Sequence, residues 1–112
     1  AREILDLARA HEEAGAFSLV LEHVPANLAS EVTDELEIPT IGIGAGPECD
    51  GQVLVVDEVL GLSEGTAPFS KAWGDVRGEM RRAVEGYRDD VESGEFPGED
   101  RSHYESELDD VY

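Results

Sequence analysis

The sequence predicts an α/β fold built on a parallel sheet covered by helices. Three observations predict it. Residues 17–21, Phe17-Ser18-Leu19-Val20-Leu21, form a short apolar run with no charge until Glu22, the pattern of a strand buried on both faces. Strand and helix patterns alternate along the chain with short connections, which implies parallel pairing. A second strand pattern, Thr40-Ile41-Gly42-Ile43-Gly44, is rich in glycine, which inside a strand marks close approach by a ligand or another backbone. In sheets of this kind chemistry collects at the carboxyl ends of the strands, and Glu22 sits at such an end.

Residues 2–14 read as a helix. Ile4, Leu7, Ala8 and His11 fall on one stripe, and Gly15 follows as a left-handed cap. His11-Glu12 resembles the opening of a zinc-binding helix, but the second histidine would stand at position 15, which is Gly15. In the strand that follows, side chains alternate. Phe17, Leu19 and Leu21 share a face suited to packing under helices. Ser18, Val20 and Glu22 share the other, which is smaller, ends in a charge and suits a barrel lumen with a site at its mouth.

Pro25 stands near the first turn of a second helix, where proline is tolerated. Leu28, Ala29, Val32 and Leu36 form its buried stripe, and Pro39 stops it. In the second strand Ile41 and Ile43 point one way, and Thr40, Gly42 and Gly44 the other. Gly42, Gly44 and Gly46 imitate a dinucleotide fingerprint, but the third glycine comes one place early, Pro47 follows it and no helix opens there. These glycines therefore serve tight packing and turning first. Residues 52–56 read as a third strand, residues 57–60 as a helical turn, and residues 62–75 as a loop with one turn around residues 69–73. Val76, Met80, Ala83, Val84, Tyr87 and Val91 mark a last amphipathic helix. Gly78 and Gly86 cost it about 1 kcal/mol each relative to alanine, so packing must hold it, and the Met80 and Tyr87 stripe reads as core. Gly94 caps it. From Asp89 to Tyr112 the chain carries ten acids and one base, Arg101, and residues 99–112 read as a solvated, disordered acidic tail.

Three strands cannot close a barrel, and an eight-stranded barrel takes about 250 residues. The 112-residue chain is thus a small open sheet or the last part of a barrel. Its charge is −19, from 8 Lys plus Arg against 27 Asp plus Glu. That balance excludes nucleic acid and anionic membrane as partners, since both need basic patches. Lys71 is the sole lysine beside seven arginines; acid excess with so little lysine points to a protein kept soluble in concentrated salt, where self-repulsion is screened. Cys49 is the single cysteine, so an internal disulfide and a cysteine-based zinc site are excluded, and it reads as an inert loop thiol. No signal peptide and no apolar run of roughly 18 residues stands out, which makes the cytoplasm the expected location.

Four motifs in order carry a resemblance. They are Leu19-Val20-Leu21-Glu22-His23-Val24-Pro25; Ile38-Pro39-Thr40-Ile41-Gly42-Ile43-Gly44-Ala45-Gly46; Asp50-Gly51-Gln52-Val53-Leu54-Val55 with Gly61-Leu62; and Glu92-Ser93-Gly94-Glu95-Phe96-Pro97-Gly98 with Ser102 and His103. Together they resemble the ketopantoate hydroxymethyltransferases. The resemblance implies a TIM (β/α)8 barrel, of which residues 1–98 are C-terminal β/α units, and a salt-loving source. It implies transfer of a one-carbon unit from 5,10-methylenetetrahydrofolate to 3-methyl-2-oxobutanoate, giving 2-dehydropantoate on the way to pantothenate and coenzyme A. It also implies a Mg2+ ion on the keto acid and a homo-oligomer. The family's catalytic carboxylate lies in the Leu-Glu-x-Val-Pro motif and maps to Glu22. The family's metal ligands come from earlier strands, which this stretch lacks; Glu48, Asp50 and Asp57 match none of them, and no residue here is assigned to a metal. The piece alone is therefore expected to lack magnesium and activity.

On pattern alone Glu22 reads equally as a solvated charge ending a strand or as a functional carboxylate. The motif context assigns it to catalysis, since removing a proton next to a carbonyl needs a base held close to the carbon. His23 reads as an exposed loop residue, His11 as a helix-surface residue and His103 as part of the tail. The alternative to the enzyme is a non-enzymatic acidic α/β binding module.

Overall fold

Three strands pair in parallel in the order β1-β2-β3: β1 (Leu19–Glu22), β2 (Thr40–Ile43) and β3 (Gly51–Gln52). The computed structural model describes residues 1–106. The predicted tail falls partly outside them, at residues 107–112. The chain divides into two compact units, Ala1–Gly74 and a second that begins at Asp75.

In the first unit, α1 (Arg2–Glu13) precedes β1, and α2 (Ala26–Glu35) connects β1 to β2. Gly15, at φ 98°, turns the chain out of α1 as expected. The buried side of α1 differs from the predicted stripe. Ala8 is buried and Ile4 and Leu5 pack on the core, whereas Leu7 is 55% exposed and His11 is exposed. The stripe is rotated toward Glu12, whose Oε1 accepts hydrogen bonds from the main-chain N–H groups of Glu37 (2.7 Å) and Ile38 (3.0 Å). A half-buried carboxylate that satisfies two backbone donors is invisible to an apolar periodicity. Arg9 adds a second tie between the helices, donating from Nε (3.1 Å) and Nη2 (2.6 Å) to Glu35 Oε2.

The stripe of α2 is the one predicted. Leu28, Ala29, Val32 and Leu36 are all buried, and full burial of a valine such as Val32 stabilises the fold by about 1.5–3 kcal/mol. Ala29, Val32 and Leu36 join Leu21, Ala45 and Cys49 in one core cluster beneath the sheet. Cys49, in the loop between β2 and β3, is thus a packed core residue.

The sheet is covered on one face only. In β1 Leu21 is buried while Val20 is 58% exposed, so the two-sided burial predicted for this strand is not met within the chain. Register places Val20 beside Ile41 and Glu22 beside Ile43. Because paired residues in a parallel ladder share a face, these four line the side that α1 and α2 leave open. β1 begins at Leu19 rather than at position 17, and Phe17 is 90% exposed instead of lying under the helices.

β3 is two residues long, not five. Of the predicted strand over residues 52–56 only Gln52 pairs, with Gly51 before it, and one further bond runs from the Val53 N–H to the Gly42 carbonyl at 3.0 Å. β2 ends at Ile43, and Gly44 then turns at φ 64°, so the later valines have no ladder to join. Val53, Val55 and Val56 are 46%, 51% and 61% exposed. The run instead leads into α3 (Val56–Leu60), closed by left-handed Gly61.

In the second unit α4 (Val76–Ser93) is capped by Asp75, which accepts a 3.0 Å bond from the Gly78 N–H. A Cβ on Gly78 would sit 2.1 Å from Asp75 Oδ2, so the glycine that weakens the helix also admits its cap. Gly94 ends it at φ 83°. The Met80 and Tyr87 stripe is not core in this chain: Met80, Val84, Tyr87 and Val91 are 59%, 66%, 62% and 45% exposed. Amphipathic spacing identifies a face that needs cover, and α4 has the face without the cover. Tyr87 meets Phe96 edge to face, centroids 5.8 Å apart, and Glu99–Arg101 form a 3-10 turn. No helix among the described residues is long and apolar enough to cross a membrane.

Candidate functional site

Glu22 is the last residue of β1, opposite Ile43 at the carboxyl end of β2. Its side chain is exposed on the open face of the sheet. The alternation of residues 19–22 puts it there: Leu21 is committed to the core, so its neighbour must point away. The partly desolvated setting expected of a catalytic base is not provided by this chain itself.

His23 leaves the strand in the left-handed region, at φ 53°, and is the one non-glycine residue to do so among those described. That conformation costs roughly 1–2 kcal/mol for a residue with a Cβ and persists where surroundings impose it. Two contacts do so. The His23 N–H donates to the Ile43 carbonyl at 2.8 Å, and the imidazole packs on Phe69, ring centroids 5.7 Å apart at 46°. The exposed loop histidine of the sequence reading is exposed, but it is also clamped.

Phe69 is seated on Gly44, where a Cβ would lie 2.6 Å from the ring. Gly46, at φ 81°, likewise has no room: a Cβ there would lie 2.4 Å from the Cβ of Ala26, the first residue of α2. A Cβ on Gly42 would lie 2.9 Å from Cys49 Sγ. The three glycines therefore serve packing and turning, as read from their spacing. Ala67 N–H donates to Glu58 Oε1 at 2.7 Å and Trp73 N–H to the Val59 carbonyl at 2.9 Å, which tie the loop bearing Phe69 to α3. The turn in that loop falls at Ala67 to Ser70, earlier than residues 69–73.

These residues enclose an open pocket of about 570 Å³ at the carboxyl edge of the sheet, walled by Leu54, Phe69, Trp73, Pro47 and the backbone of Gly44 and Gly46. Gln52 also lines it and donates from Nε2 to the Gly46 carbonyl at 2.8 Å. Lys71 Nζ lies 4.7 Å from the centre of the Trp73 ring. Glu22 is not a wall of the pocket; it is joined to it through His23 and Phe69. Sequence reasoning passed over Phe69 and Trp73. The signal available was two large aromatic residues in a loop otherwise made of small and polar ones.

Asp50 belongs to the structure instead. Its Oδ2 accepts from the Thr40 N–H at 2.8 Å and from Thr40 Oγ1 at 3.3 Å. Among the described residues no three His, Cys, Asp or Glu side chains stand together to hold a metal ion.

A parallel sheet, jacketed by helices on one face and bearing a carboxylate and a pocket at its carboxyl edge, defines an α/β chain of the strand-end-site type. Comparison with known proteins narrows the class. The family model for ketopantoate hydroxymethyltransferase matches residues 1–99, and the chain belongs to that family. Over its whole length it is 74% identical to the 3-methyl-2-oxobutanoate hydroxymethyltransferase of the halophilic archaeon Natronomonas pharaonis and 67% identical to that of Haloarcula marismortui. A protein of the same name from Geobacter metallireducens is 54% identical over 102 residues, 90% of this chain and 38% of its own length. The chain spans 42% of the length of the two archaeal relatives.

Proposed function

We propose that this chain forms the C-terminal part of a TIM-barrel hydroxymethyltransferase, residues 1–98 supplying β/α units and residues 99–112 an acidic tail. The complete enzyme transfers a hydroxymethyl group from 5,10-methylenetetrahydrofolate to 3-methyl-2-oxobutanoate and forms 2-dehydropantoate. Glu22 is the proton acceptor. The observation that carries this reading is the position of Glu22, at a strand's carboxyl end on the face the helices leave open, in a chain of this family. An open face lined by Val20, Ile41 and Ile43 suits the interior of a barrel whose remaining strands lie in the rest of the protein. The family match weighs against the acidic binding module. Cytoplasmic location and assembly as a homo-oligomer go with the same reading and rest on the resemblance.

The chemistry asks of Glu22 that it take a proton from the carbon beside the keto group while that carbon becomes a nucleophile. Closure of the open face by further strands would exclude water from the carboxylate and strengthen its interactions. The described residues do not fit the magnesium ion that the resemblance implies, since they hold no cluster of ligands and Asp50 is engaged by Thr40. Its ligands belong, on this reading, to the part of the enzyme outside this chain, and no step here runs through it.

The test is the full-length enzyme, wild type against Glu22→Gln, followed by 2-dehydropantoate formation. Turnover is expected to fall by about 100-fold or more, the usual contribution of a positioned base, with keto-acid binding kept. Equal rates would remove Glu22 from the mechanism. The isolated 112-residue chain is expected to show no turnover.

A further inference from the structure

We infer that Phe69 is a positioning residue: by packing on the His23 ring it holds that residue left-handed and so fixes the direction in which Glu22 points. The inference rests on the proposed role of Glu22 and adds to it the device that aims the carboxylate.

Three observations converge. First, Glu22 is the last residue of β1 and the backbone leaves it through His23 at φ 53°, so the anchor on the C-terminal side of Glu22 depends on a conformation that a residue with a Cβ disfavours. Second, one side of that turn is held by the 2.8 Å bond from the His23 N–H to the Ile43 carbonyl. That bond fixes the amide but leaves the rotation beyond it free, and the ring contact with Phe69 at 5.7 Å fixes what remains. Third, Phe69 is itself placed tightly. Its ring occupies the volume a Cβ on Gly44 would need, and its loop is tied to α3 through Ala67 and Glu58. Val24, restricted to extended conformations because Pro25 follows it, keeps the far side of the turn stiff. The carboxylate is thus aimed from a loop about 50 residues further along the chain, through one intervening ring.

A side chain that only filled space would act on stability. One that aims a base acts on the chemical step, because small misplacements of a reacting group are costly. The experiment uses the full-length enzyme with Phe69→Leu, Phe69→Tyr, His23→Gly and the double variant His23→Gly/Phe69→Leu, each assayed for kcat and for KM toward the keto acid. A structure or NMR measurement of the His23 backbone in Phe69→Leu accompanies them. The expected result is a kcat about tenfold lower in Phe69→Leu with KM within about twofold. Phe69→Tyr, which keeps the ring, recovers most of the loss, and His23 leaves the left-handed region in Phe69→Leu. The double variant is no slower than the slower single variant, since both remove one contact. An unchanged kcat in Phe69→Leu overturns the inference, as does a rise in KM alone, which would make Phe69 a substrate contact. Fully additive losses overturn it as well. Glu22→Gln, run in parallel, separates the two levels. If it abolishes turnover while Phe69→Leu is fully active, the base stands and the positioning fails. If Glu22→Gln is fully active, the base reading fails, and the positioning inference, which has no base left to aim, is overturned with it.

Discussion

The Asp50 carboxylate closes onto Thr40, a residue with no solvent exposure, by accepting a 2.8 Å hydrogen bond from its main-chain N–H. The Thr40 hydroxyl in turn meets Thr33 Oγ1 at 2.8 Å and accepts from the Asp50 N–H at 3.3 Å. One side chain in the loop after β2 thus satisfies the first amide of that strand and links it back to α2.

Removing that acceptor leaves a buried donor unpaired. Asp50→Ala is expected to lower stability by about 1–3 kcal/mol, the cost of an orphaned buried polar group. Asp50→Asn keeps an oxygen able to accept and should retain most of the stability. Denaturant midpoints of the full-length protein measure both. A midpoint for Asp50→Ala equal to the wild type's would show the clasp to be idle.

Gly46→Ala meets two obstacles, a φ of 81° and a Cβ 2.4 Å from that of Ala26. Stability is expected to fall by more than about 1 kcal/mol. Adding Ala26→Gly removes the nearer clash but leaves the residue 26 Cα 3.0 Å away and the backbone strain, so it restores only part of the loss. Thermal melts of the wild type, Gly46→Ala and the double variant separate the contributions, and full restoration would assign the whole effect to crowding.

Salt acts on this chain in two opposed ways. Screening relieves the self-repulsion of a net charge of −19, so helical circular dichroism is expected to rise as salt goes from dilute to molar. The ion pair of Arg9 with Glu35 weakens under the same screening. Glu35, by its hydrogen bond and its charge, raises the guanidinium pKa above its ordinary value. With the carboxylate charged, a raised guanidinium pKa contributes stability that is fully present below the ordinary guanidinium value and is lost as pH climbs through the raised one, at the alkaline extreme. Arg9→Ala should therefore cost more in dilute buffer than in molar salt, and a cost independent of salt would refute the assignment.

What could be read from the sequence divides along a physical line. The buried stripe of α2 was legible because Ala29, Val32 and Leu36 meet one apolar partner, the underside of the sheet, and apolar spacing alone describes that contact. Parallel pairing was legible because α2 connects β1 to β2. The stripe of α1 was misplaced because Glu12 is drawn inward by backbone donors at Glu37 and Ile38. The length of β3 was overestimated because a valine-rich run becomes strand only beside a partner, and Gly44 takes the partner away. Glu22 was placed at its strand end by alternation; its tie to Phe69 through His23 was not legible, because nothing local announces a left-handed histidine or a contact with a loop so far along the chain. Cover for the α4 stripe cannot be inferred from a pattern that records only the face to be covered.

β1 and β3 are the outer strands of their sheet, and on one side of that sheet Val20 is exposed and Ile41 and Ile43 are only half-buried. Such a half-finished surface is receptive to a matching half. On the proposed barrel reading, this chain and a separately expressed chain carrying the remaining strands are candidates for spontaneous reconstitution, each acting as scaffold for its counterpart. The same unfinished borders would make the piece made alone prone to stick to its own copies, unless its dense negative charge holds them apart.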